Sequence, residues 1–142
     1  MRIISFLLFL LVPQVAWSFD SGIKTKYLLP QAEVSVKNVL ILPAKKEFFL
    51  DLEINMKEGW KTYYKTEEVY LEVTHNKKLG EIIFPDPQEF YLWGDYKIVG
   101  YKDRVIFKVG FSYDDVIKNE IDLFIPFCSN QCIVEEIKMA IY

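Results

Sequence analysis

The chain has 142 residues, 51% hydrophobic and 16% aromatic, with 17 Lys and Arg against 20 Asp and Glu for a net charge of −3. That acidic balance argues against nucleic acid as a partner, and so many rigid aromatics exclude a disordered segment. The length suits one domain with a real core and is too short for two.

At the N-terminus stand Arg2, an apolar run from Ile3 to Val12, a break at Pro13-Gln14, and Ala16-Trp17-Ser18 as a small-x-small cleavage site before Phe19. This pattern predicts a secretory signal peptide over residues 1–18. The run is too short for a bilayer span of about twenty residues, and no later segment comes close. No cysteine follows the cleavage point to take a lipid. Cleavage leaves one domain, residues 19–142, with 16 basic and 20 acidic side chains and no membrane span. Residues 19–30 read as a lead-in strand or a tail.

Period-two alternation then takes over. It is seen at Val34-Val36 and Val39-Ile41, and most clearly in Phe48, Leu50, Leu52, Ile54 and Met56 against Phe49, Asp51, Glu53, Asn55 and Lys57. That is the signature of a half-buried strand. Gly59-Trp60-Lys61-Thr62-Tyr63-Tyr64-Lys65 follows the turn at Glu58-Gly59 with three large aromatics. Trp60 is expected in the core, whereas Tyr63 and Tyr64 take opposite faces if extended, so one of them points outward or into a site.

Further alternation appears at Val69-Leu71-Val73. The polar run His75-Asn76-Lys77-Lys78-Leu79-Gly80 predicts a turn with His75 solvated in it. Phe84 to Gly94 is a long connection dense in aromatics, including Phe90, Tyr91, Leu92 and Trp93. It reads either as a flap over a site or as a bent edge strand whose aromatics fill the end of the fold. Strand patterns resume at Val105-Phe107-Val109, Ile121-Leu123-Ile125 and Ile137-Met139-Ile141. Turn signals lie at Leu42–Lys46, Pro85-Asp86-Pro87, Gly94-Asp95, Tyr101-Lys102-Asp103 and Ser112–Asp115. Seven or eight short strands at this spacing, with almost no helical period, predict an all-β, immunoglobulin-like antiparallel sandwich.

Cys128 and Cys132 are the only cysteines. A straight strand would separate them by roughly 13 Å at about 3.3 Å per residue, beyond the roughly 7 Å Cα limit of a disulfide. The intervening Ser129-Asn130-Gln131 is turn-prone, so the chain is expected to fold back and set the two thiols across an antiparallel pair. A five-residue loop contributes only about 2 kcal/mol in the chain-entropy model. Short spacing at a hairpin tip therefore favours an exchangeable bond over a structural staple. No Lys, Arg or His flanks the pair in sequence and Glu135-Glu136 follow closely, so exchange is expected to depend on a partner and to be slow with small thiols.

Other chemistries find little support. The thiols, Met56, Met139 and His75 offer no second ligand cluster at metal spacing, and no metal or organic cofactor is expected. Nothing resembles a phosphate loop, a catalytic acid pair or a serine triad.

Several segments, in this order and spacing, carry a family resemblance. They are Lys57-Glu58-Gly59-Trp60-Lys61-Thr62-Tyr63-Tyr64, Phe84-Pro85, Glu89-Phe90-Tyr91, Gly100-Tyr101-Lys102-Asp103-Arg104, and Cys128 with Cys132-Ile133. Together they resemble the periplasmic N-terminal domain of DsbD-type thiol:disulfide interchange proteins and related disulfide-corrector domains. The resemblance implies a periplasmic shuttle that takes electrons from a thioredoxin-like or membrane donor and passes them to oxidised exported proteins. By the same resemblance Cys132 forms the mixed disulfides and Cys128 resolves them. Phe90, with Glu89 and Tyr91 on the cap loop, shields the pair, and Tyr63 lines the site.

Two departures stand out. Val134 occupies a position where the family commonly has proline. The sequence also stops at Tyr142 without the membrane segments or thioredoxin-like domain of full-length DsbD, so electrons would come from a separate protein. The rival expectation is a secreted sandwich that binds another envelope protein, its hairpin merely stapled by the bridge.

Overall fold

A computed structural model describes residues 23–92 and 94–142. The expected export leader, residues 1–18, and Trp93 lie outside the described residues. Twelve strands follow one another: β1 (Lys26–Leu28), β2 (Ala32–Leu42), β3 (Glu47–Met56), β4 (Lys61–Tyr63), β5 (Glu72–His75), β6 (Lys78–Leu79), β7 (Glu81–Ile83), β8 (Gln88–Leu92), β9 (Tyr96–Lys102), β10 (Arg104–Ser112), β11 (Ile121–Cys128) and β12 (Cys132–Met139). All pairings are antiparallel.

The strands form two sheets. The first runs β1-β2-β3-β10-β7. The second is centred on β11, with β12 along one side and β5 and β4 sharing the other; β6 extends β5, and β9 then β8 extend β4. This is the immunoglobulin-like antiparallel sandwich expected from the alternation. Phe48, Leu50, Leu52 and Ile54 of β3 are fully buried, as are Phe107 and Val109 of β10, Ile125 and Phe127 of β11, and Met139 of β12. Trp60 packs half-buried against this core. More strands form than expected because several are only two or three residues long, too short to show a period.

Two polar residues depart from the sequence reading. Glu53 stands on the outward side of β3 by parity yet is only 5% exposed, because Lys37 and Arg104 close over it from either side. These two cations hold its carboxyl down to about 2. His75 is not a solvated loop residue: it is 2% exposed and ends β5. The turn narrows to Asn76 and Lys77, both at positive φ (52° and 68°), so the alternation of Leu71 and Val73 carries on inward to His75. Its ring meets Phe48 edge-on at 4.9 Å, and Nε2 accepts the Lys118 N–H at 3.0 Å. Burial pushes the imidazole pKa down, so the ring is held neutral.

Glu53 sets an acid limit on the fold. Its folded pKa lies below the ordinary glutamate value of about 4.3, so its stabilisation is complete above that pH and is lost as pH falls toward about 2. In thermal melts the Glu53→Gln variant is expected to be less stable than the wild type above about pH 5. The two melting temperatures should converge as pH approaches about 2. Parallel curves across that range would mean that the ion pairs contribute nothing.

Candidate functional site: a capped disulfide on the outer sheet face

β11 pairs with β12 without a break from Ile121↔Met139 to Cys128↔Cys132, so the register itself sets the two cysteines opposite each other. Ser129, Asn130 and Gln131 close the turn, with Ser129 N–H donating to the Gln131 carbonyl at 2.9 Å. The cysteines form a disulfide with a Cα–Cα distance of 4.0 Å. Side chains alternate along β11. Ile125 and Phe127 face the core, which turns Cys128 to the outer face of the second sheet.

Despite that position Cys128 is completely buried, whereas Cys132 is exposed. Neighbouring strands explain the difference. β4 meets β11 at Lys61↔Cys128, and β9 pairs with β4 through Tyr63↔Gly100. β8 pairs with β9 through Phe90↔Ile98. These parities put Lys61, Tyr63, Ile98 and Phe90 on one surface with Cys128, and Ile98, Tyr63 and Phe90 pack around the sulfur. Within the Phe84–Gly94 stretch, residues 88–92 thus form an edge strand, and its Phe90 also covers the disulfide.

Backbone geometry fixes that cover. Thr62 turns inward and its hydroxyl donates to the Pro126 carbonyl, tying β4 to β11 two residues before Cys128. Gly100 lets β9 come close: a Cβ there would stand 2.0 Å from the Thr62 carbonyl oxygen and 3.1 Å from the Tyr63 Cα. The Tyr63 hydroxyl touches both sulfurs, with Cys132 Sγ at 3.2 Å. Burial raises the Tyr63 pKa, so the phenol keeps its proton at neutral pH and can donate to sulfur. The Lys61 ammonium sits over the Phe90 ring, 5.2 Å from its centroid.

The structure therefore gathers Cys128, Cys132, Tyr63 and Phe90. Glu89 and Tyr91 lie on the cap strand but on its other face, where Glu89 meets Lys97 at 3.6 Å and Tyr91 is 64% exposed. Met56 and Met139 belong to the sandwich core, on the opposite side of the sheet from the sulfurs. Among the described residues no group of three His, Cys, Asp or Glu is arranged to hold a metal ion. Lys61 and Ile98 also stand at this site, and no motif in the sequence marks either of them. Lys61 shares a face with Tyr63 at i, i+2, a signal available to any extended reading of residues 61–63.

The model for the family "Thiol:disulfide interchange protein DsbD, N-terminal" matches residues 24–141. Among solved structures, the chain is similar to the N-terminal periplasmic domain of ScsB from Proteus mirabilis. The TM-score is 0.60 at 22% identity, over 80% of this chain and 48% of that one, so the likeness spans about half of that structure and is one of fold. No curated protein sequence matches.

Phe90→Ala should expose Cys128 and accelerate reduction of the bridge by dithiothreitol about ten-fold, the rate equivalent of about 1.4 kcal/mol of lost cover. Thiol alkylation over time reads this directly, and an unchanged rate would show that the ring does not guard the sulfur. Gly100→Ala should cost about 1–3 kcal/mol in denaturant unfolding, since β4 and β9 must separate to admit the methyl group.

Proposed function

The chain belongs to the family of the DsbD N-terminal domain, and from that membership we propose that it is a periplasmic thiol–disulfide exchange module, exported by residues 1–18, that passes reducing equivalents to oxidised exported proteins. The observation that carries this reading is the unequal exposure of two bonded sulfurs at a hairpin tip, Cys132 open and Cys128 covered. A bridge that served only as a staple gains nothing from such a difference. An exchanging one is given its regiochemistry by it, because an incoming thiolate can reach only Cys132.

In the loading half, a thiolate of a thioredoxin-like or membrane-bound donor attacks Cys132 Sγ. The intermolecular S–S bond forms, the Cys128–Cys132 bond breaks, and its electron pair remains on Cys128 as thiolate. The donor's second thiolate then attacks its own bridged sulfur and releases Cys132. The donor dithiol is oxidised and the Cys128–Cys132 pair is reduced, by two electrons in all. In the delivery half, the Cys132 thiolate attacks the disulfide of an exported protein and Cys128 displaces the product. Holding Cys128 directly opposite Cys132 makes this second displacement intramolecular. The Tyr63 hydroxyl is positioned to donate to the charge that develops on either sulfur.

Cys128→Ser should accumulate a mixed disulfide with its partner at Cys132, visible as a reducible adduct on non-reducing gels of periplasmic extract, and Cys132→Ser should form none. The reduction potential of the wild-type pair, measured in glutathione or dithiothreitol buffers, is expected at roughly −120 to −270 mV. A value below about −300 mV would mark a structural bridge and overturn the proposal.

A further inference from the structure

Lys61 is the directly opposed neighbour of Cys128 on β4. Opposed residues carry their Cβ atoms roughly 4.5–5.5 Å apart on the same face, so the ammonium on its four-carbon stem can reach either the sulfur or the ring that covers it. In the disulfide form it lies over Phe90. It has no carboxylate partner among the described residues, and nothing else fixes it there.

We propose that Lys61 is a positioning residue that couples the cap to the state of the sulfurs, resting on the Phe90 ring while the bridge is closed and transferring to the Cys128 thiolate when the bridge opens. When Cys132 is attacked, the departing electron pair places a full negative charge on Cys128, in a buried pocket where an unpaired anion is costly. A thiolate attracts an ammonium more strongly than does the face of a phenyl ring. Lys61 therefore leaves Phe90, the cap strand loses one of its ties, and the partner gains room at the site. Reoxidation removes the charge and returns the cation to the ring.

The other groups on this surface fit that exchange. Tyr63 comes from β4, Tyr96 and Lys102 from β9, and Cys132 from β12. β8 contributes Gln88 and Phe90, both uncharged, with Glu89 turned to the far face and engaged with Lys97. Lys102 is the register partner of Lys61, so the only other cation on this part of β9 opposes Lys61 and does not neutralise it.

The use of this latch rests on the exchange reading above, but its chemistry is testable without any partner. In the oxidised wild type, the Lys61 ε-methylene protons should be shifted upfield by the Phe90 ring current in carbon–proton NMR spectra, and Phe90→Ala identifies that shift by abolishing it. In the Cys132→Ser variant, where Cys128 is the only thiol, raising the pH until thiolate absorbance at 240 nm shows it ionised should remove most of the upfield shift, and lowering the pH to about 6 should restore it. In the Cys132→Ser background, Lys61→Met should raise the thiol pKa of Cys128, read from thiolate absorbance at 240 nm, while Lys61→Arg should leave it near that of the parent. A Lys61 signal indifferent to ionisation of the thiol, or a thiol pKa unmoved by Lys61→Met, overturns the proposal. A latch that responds in a protein that traps no partner would instead count against exchange alone.

Discussion

The unbroken ladder between β11 and β12 is the constraint on which the rest of the site depends. It aligns Cys128 with Cys132 and decides which face each side chain of β11 occupies. A slip of one residue would carry Cys128 into the core and bring Phe127 out to the surface. Such a slip is opposed along the whole strand, because Ile121, Leu123, Ile125 and Phe127 are all held in the hydrophobic interior. The large apolar residues of β11 thus hold its single sulfur in place, although none of the four shares its face.

The first sheet contributes indirectly. Glu53 draws Lys37 and Arg104 toward β3 from the strands on either side, and Arg104 begins β10 one residue after the chain leaves β9. Asp103, at φ 61°, makes that crossing from one sheet to the other, and its carbonyl accepts the Met56 N–H. The end of β9 is thereby tied to the scaffold next to Lys102 and Gly100, the residues that place β4. His75 plays a comparable part at another edge of the core, with a neutral imidazole beside the stacked rings of Phe48 and Phe111 that pins the segment before β11 through Lys118.

The long, one-sided strands were legible in the sequence. Five apolar residues at strict alternation in β3 leave one choice of face, and the Cys128–Cys132 spacing is a local signal because a three-residue turn closes it. The burial of His75 is hidden in the sequence, because the polar residues around it do not reveal that only Asn76 and Lys77 make the turn. β9 was missed because Tyr-Lys-Ile-Val-Gly-Tyr-Lys mixes polar and apolar residues on both faces, and the glycine that weakens the pattern is the one that permits close strand approach. Lys61 opposes Cys128 from 67 positions away, and β9 brings Ile98 to the site by pairing with β4, 37 positions from Gly100 to Tyr63; such register is invisible to any window on the sequence. The two faces of β8 were equally hidden, so Glu89, Phe90 and Tyr91 were grouped as one loop although only Phe90 turns toward the sulfur.

Placing the bridge outside the core, in a loop of five residues, has a thermodynamic consequence. By a closed cycle, whatever the bond adds to folding stability, folding adds to the stability of the bond. For so short a loop that shared quantity is about 2 kcal/mol in the chain-entropy model, which converts to about 40 mV in the potential of a two-electron couple. Folding alone therefore moves the pair only modestly from the potential of the same five residues in an unfolded chain. The same small figure bounds how much stability the domain gives up each time the bond is opened, so a sandwich built this way stays folded through either half of a redox cycle.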